Sequence, residues 1–103
     1  PRPNVREWYK RHKEWFGKNP DLPTTAGYAA LDFFAKAAEK AGCDLTREKL
    51  IDAMESMGTV PDDNFGGPST TFTSTNHQGT YEAILFQIKN GRWVQISEPL
   101  GYK

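Results

Sequence analysis

The chain has 103 residues, with Lys plus Arg and Asp plus Glu balanced at 13 each, so no global field draws it to nucleic acid or to an anionic membrane. Apolar residues make up 37%, low for a free-standing globule, yet 13% of the chain is aromatic, which excludes a disordered tail. Cys43 is the only cysteine, excluding an internal disulfide and a multi-cysteine zinc site, and no run approaches the roughly 18 apolar residues of a membrane span.

Pro1 opens the sequence and no methionine precedes Met54, so the chain reads as a processed or truncated piece. Val5, Trp8, Tyr9, His12, Trp15 and Phe16 follow i, i+3, i+4 spacing, which predicts an amphipathic helix over 5–16, with Asn4 and Glu7 as an imperfect capping box. Gly17 stops it, and Asn19, Pro20, Asp21 and Pro23 make a stiff connection suited to a hinge. A second helix, capped by Thr24 or Thr25, runs to Ala41 and ends at Gly42. Its Asp32, Lys36, Glu39 and Lys40 share one face, while apolar and small residues cover the rest, so it requires packing on more than one side. Thr46 caps a third helix with a Leu50, Ala53, Met54, Met57 stripe, ended by Gly58.

Pro61, Asp62, Asp63, Asn64, Gly66, Gly67 and Pro68 then predict a loop. Its acidic residues lack the alternating spacing and closing Glu of a calcium site. Its glycines are not followed by the Lys-Ser or Lys-Thr of a phosphate loop. Thr70–Thr73 and 81–89 have strand composition, and Asn90-Gly91 signals a two-residue hairpin turn into 92–97. That turn pairs Lys89 with Arg92. It places Ile84, Phe86, Ile88 and Trp93 on one face and Leu85, Val94 and Ile96 on the other, so both faces seek cover.

Gly27-Tyr28-Ala29-Ala30, Ala38-Glu39-Lys40-Ala41-Gly42 and Thr46 to Met54 come in an order that resembles type I periplasmic solute-binding proteins of ATP-driven uptake transporters. Phe65-Gly66-Gly67, Thr71-Phe72-Thr73, Asn76-His77-Gln78-Gly79 and 87–96 complete the pattern. The likeness is to their C-terminal part, especially in the branched-chain amino acid, amide and aromatic-acid group. The resemblance implies an α/β fragment of a two-lobed protein: three helices, a strand and a terminal β-hairpin. By the same resemblance, residues 1–103 would be a single C-terminal fragment, with 5–16 a lobe-two helix, 24–58 the lobe-one helices, and 70–97 the hinge strand and terminal hairpin. It implies a periplasmic or extracytoplasmic location, a small-molecule solute, a membrane permease as partner, no cofactor, no enzymatic activity, and no nucleic-acid or membrane-insertion role. Most ligand loops would lie upstream, so the solute site here is partial. Tyr28, at the start of a helix after the Pro-rich connection, and Phe65, in the Gly-rich loop, are the candidate ligand-binding residues. The unmatched apolar faces predict self-association of the fragment.

Neither catalysis nor a metal site is favoured. His12 has no second His or Cys within a helical turn, Cys43 has no sequence-local base, and His77 lies in a turn. A hydrolase using Cys43 with His77 ranks last. The first helix interleaves Arg6, Lys10, Arg11, Lys13 and Lys18 with aromatics, and the alternative reading is a small module that binds protein or nucleic acid through it. Because aromatic and basic residues segregate to opposite sides, the preferred reading puts the aromatics against a core and the bases in water.

Overall fold

The computed structural model describes residues 2–61, 65 and 67–101. Three helices are followed by short antiparallel strands: α1 Pro3–Phe16, α2 Leu22–Ala41, α3 Arg47–Ser56, β1 Glu82–Ala83, β2 Phe86–Lys89, β3 Arg92–Gln95 and β4 Leu100–Gly101.

Helix α1 starts two residues earlier than expected. Arg2 occupies the N-cap position without a side-chain cap, and Pro3 sits in the first turn, where its fixed φ suits the helix and its missing N–H is no loss. Asn4 is therefore inside the helix and not at its N-cap position. At the other end Gly17 adopts φ 70° and donates its N–H to the Lys13 carbonyl, as expected of a left-handed stop.

Helix α2 also begins early, and Asp21 is its cap in place of Thr24 or Thr25. The Asp21 carboxylate accepts from the Thr24 N–H at 3.1 Å, and the Thr24 hydroxyl faces back to the Asp21 N–H at 3.5 Å. Pro23 is thus not part of the connection but of the first turn. Helix α3 starts as predicted, with the Thr46 hydroxyl accepting from the Lys49 N–H at 3.2 Å.

Helices α2 and α3 meet at Ala37 and Ala53, the buried apolar residues of the described chain. Small side chains here let the backbones approach, and the Lys40 ammonium crosses to the Ser56 carbonyl at 2.9 Å. Phe72 extends this contact by meeting Phe33 edge-on at 5.5 Å.

The strand expected at 70–73 is not formed. Val60 and Thr70 make one antiparallel bridge, and Thr73 and Asn76 another, because the chain turns back through Thr71 N–H to Gly79 carbonyl at 2.7 Å. Gly79 is required by this fold-back. A Cβ there would lie 3.1 Å from Thr70 Cγ2 and 3.2 Å from Phe72 Cζ. The acidic and Gly-rich turn readings at Asp62, Asp63, Asn64 and Gly66 lie outside the described residues.

The hairpin has the expected register, Lys89 opposite Arg92 and Ile88 opposite Trp93. Asn90 and Gly91 have φ of 51° and 73°, as a type I′ turn demands. The strand predicted over 81–89 is nevertheless broken, since Leu85 N–H goes to the Ser97 hydroxyl at 2.9 Å instead of a ladder carbonyl. Upstream of the break, β1 pairs with β4, a strand that the sequence reading missed.

The molecule is open. Its radius of gyration is 16.0 Å, against about 13 Å for a compact domain of this length. Its accessible surface is 7907 Å², whereas a compact monomer of this mass exposes about 5,800 Å². The excess lies on the faces expected to seek cover: Leu22 and Leu31 on α2 are 81% and 70% exposed, and Ile88 and Trp93 on the hairpin 61% and 72%.

Candidate functional site

Tyr28 and Phe65, 37 positions apart in sequence, are in contact. Their rings meet edge-on with centroids 5.8 Å apart, and Trp8 of α1 closes the triangle at 5.5 Å from Tyr28 and 4.9 Å from Phe65. Edge-to-face packing of this kind sets positive ring edges against negative faces and fixes the three side chains relative to one another. The connection after Gly17 turns α2 back so that its second turn faces the middle of α1. Tyr28 projects from that turn.

Two cavities flank the cluster and share Trp8 and Tyr28. One, of about 300 Å³, continues past Phe65 to Asn4, Asp32 and Lys36. Asp32 and Lys36 are paired there at 2.7 Å. The other, of about 590 Å³, opens between the C-terminal half of α1 and the start of α2, with Arg11, His12, Trp15 and Phe16 on its wall. Both fall in or near the size range of small-molecule pockets. The largest described cavity, of about 660 Å³, lies elsewhere, among the hydroxyls of Ser69, Thr71, Thr73 and Thr80 and the Glu82 carboxylate. Much of its polar lining is already engaged: Glu82 accepts from the Ser69 N–H and hydroxyl, and Asn76 donates to the Tyr81 oxygen at 2.6 Å.

Trp8 was missed as a member of the Tyr28 and Phe65 site because its spacing with Val5 and His12 marks it simply as part of a core stripe. That stripe is only half covered. Trp8 and His12 turn inward, whereas Tyr9, Trp15 and Phe16 are exposed, which corrects the expectation that the α1 aromatics face a core. The basic residues of α1 are wet as anticipated, and Arg11 and Lys10 pair with Glu7 and Glu14 one turn away.

His77 and Cys43 are not brought together. His77 Nε2 lies 2.8 Å from Glu55 Oε1, tying the 76–79 turn to α3, and its ring stands edge-on to Phe72. Cys43 is exposed after the end of α2. Among the described residues no group of three His, Cys, Asp or Glu side chains could hold a metal. No described helix is long and apolar enough to cross a membrane.

Residues 1–92 match the family model for periplasmic binding protein, and the chain belongs to that family. Membership carries a solute-binding role in the periplasm. No curated protein and no solved structure matches the chain.

Proposed function

We propose that this chain forms part of a two-lobed extracytoplasmic receptor that hands a branched-chain amino acid, a short amide or an aromatic acid to an ATP-driven uptake transporter. In this reading α1 belongs to lobe two, α2 and α3 belong to lobe one, and the segment from 70 to 97 crosses back and ends in the hairpin. The observation that carries it is the Trp8, Tyr28 and Phe65 cluster. It joins a helix on one side of the Pro-containing connection to a helix on the other, where a solute clamped between lobes would lie.

The mechanism is a population shift. A solute that touches both walls favours the closed arrangement by its differential affinity, and closure presents the surface that a permease recognises. Tyr28 and Phe65 supply flat apolar contact, and the Tyr28 hydroxyl adds one polar point. The accessible surface, some 2,100 Å² above that of a compact monomer of equal mass, fits a unit whose faces are covered by further parts of the receptor.

Thermal-shift screening of the full-length protein against amino acids, amides and aromatic acids tests the proposal, since a ligand that binds only the native state raises its melting temperature. A hit is expected, and Tyr28→Ala should weaken it by at least about tenfold, the equivalent of one lost contact of about 1.4 kcal/mol. No shift with any member of the panel, or a shift that Tyr28→Ala and Phe65→Ala leave unchanged, would overturn this assignment.

The exposure of Trp15 and Phe16 favours a second reading, a module that binds a protein through α1. It requires that Trp15→Ala abolish capture of a macromolecular partner while solute binding is untouched.

A further inference from the structure

The cavity between α1 and α2 contains a histidine whose proton position is set by its neighbours. His12 is only 8% exposed, wedged between the rings of Trp8 at 5.7 Å and Phe16 at 4.8 Å. Its Nδ1 lies 3.0 Å from the Lys18 carbonyl oxygen. A carbonyl can only accept, so Nδ1 is the donor and carries a proton. In the neutral ring Nε2 then holds a lone pair. No described residue hydrogen-bonds to Nε2, yet the atom is not a sealed orphan, because among the described residues no fully buried side-chain nitrogen or oxygen lacks a partner. Nε2 therefore keeps some access to solvent, and the described cavity that His12 lines is the one of about 590 Å³.

The rest of this wall determines what could use that lone pair. Trp8, Trp15, Phe16 and Tyr28 offer flat apolar faces. Of the cations at the mouth, Arg11 Nε is 3.0 Å from Glu7, and Lys18 adds a small pull on the Asp21 carboxylate. A charged solute would lose its water against a wall that is mostly aromatic, whereas a neutral ring with one donor loses little and satisfies Nε2.

We propose that the α1/α2 cavity binds a small, uncharged aromatic solute bearing one O–H or N–H donor, which it gives to Nε2 of His12 while its ring packs among Trp8, Trp15, Phe16 and Tyr28. This rests on the solute-binding reading only in treating Tyr28 as solute-facing. The requirement for a donor stands on His12 alone. His12 thus sets specificity: Nε2 selects for the donor, and the aromatic walls select for a planar body.

Calorimetric titration of the full-length protein with phenol, toluene and benzoate tests the site. Phenol should bind about tenfold or more tightly than toluene, the value of one net hydrogen bond, and more tightly than benzoate. On ¹⁵N-labelled histidine, phenol should move the Nε2 resonance of His12 far more than that of Nδ1. His12→Phe keeps a ring between Trp8 and Phe16 but removes the acceptor, and should reduce phenol to the affinity of toluene. Should that variant fail to fold, the ¹⁵N shift in the unmodified protein decides alone. Equal binding of phenol and toluene, a preference that survives His12→Phe, an unmoved Nε2 resonance, or benzoate as the tightest of the three would each overturn the proposal. A protein that discriminates phenol from toluene through His12 but responds to no amino acid, amide or aromatic acid keeps this site and loses the uptake role. The converse result loses this site alone.

Discussion

Asp21 shows how much of a helix start can rest on one exposed side chain. Its carboxyl is held below the usual carboxylate range, first by the Thr24 hydroxyl and then by the Thr24 backbone N–H, with Lys18 adding a smaller pull and desolvation opposing them. A carboxyl depressed in the folded state contributes stability that is fully present above its unfolded value, about 3.9, and lost as pH falls through the folded value. The start of α2 should therefore fray in acid. The opening equilibrium at the Thr24 and Thr25 amides, taken from hydrogen exchange after division by the intrinsic rate at each pH, should rise from about pH 5 to about pH 2 in the native sequence. Asp21→Asn retains an accepting oxygen but does not titrate, and should remove most of that pH dependence. An equally steep rise in the variant would locate the acid sensitivity elsewhere. The cap was misread in the sequence because Pro23 looks like a breaker, and a Thr after it looks like the natural beginning. In fact proline is tolerated throughout a first turn, so the search for a cap has to start before it. The Glu55 and His77 pair is a second residue-scale contact that no local pattern announces, since its partners are 22 positions apart. His77→Ala should detach the 76–79 turn from α3 at a cost below about 1 kcal/mol, as expected of a partly exposed pair. Faster exchange at the Gln78 amide with an unchanged α3 would report it.

Among the elements, those closed by local rules were legible and those closed by distant partners were not. The Asn90-Gly91 turn fixes the register of β2 and β3 by itself, and each cross-strand pair follows from it. Gly91→Ala forces a side chain into the left-handed region and should destabilise the hairpin by roughly 1–2 kcal/mol. Trp93 fluorescence in urea would show it as an earlier midpoint, and an unchanged midpoint would mean that the hairpin is not held by its turn. By contrast, nothing near Leu100 marks it as the partner of Ala83, and nothing near Thr70 shows that its neighbours fold back instead of extending. The same division runs through the candidate site. The sequence put Tyr28 and Phe65 forward separately, but it could not show that Trp8 would bridge them, because that contact depends on the angle between α1 and α2.

For the whole molecule, the exposed faces of α2 and the hairpin predict association. Sedimentation should show dimers or larger species as concentration rises, since the large apolar side chains of Trp15, Leu31, Ile88 and Trp93 are all mostly exposed. Trp15→Glu with Trp93→Glu should shift the distribution toward monomer. A compact monomer at every concentration in the unmodified chain would refute the expectation. The near-absence of large buried side chains has a thermodynamic consequence of its own. The steepness of a denaturant transition and the heat-capacity change both scale with newly exposed surface, and here less remains to be exposed than in a compact domain of equal mass. The urea slope should lie in the lower part of the usual range of about 1–3 kcal/mol per molar, and the heat-capacity change somewhat under the about 1.2–1.5 kcal/mol/K of an ordinary domain of 100 residues. Melting should accordingly be broader than that of a compact domain of this length, and should sharpen when another protein surface covers these faces.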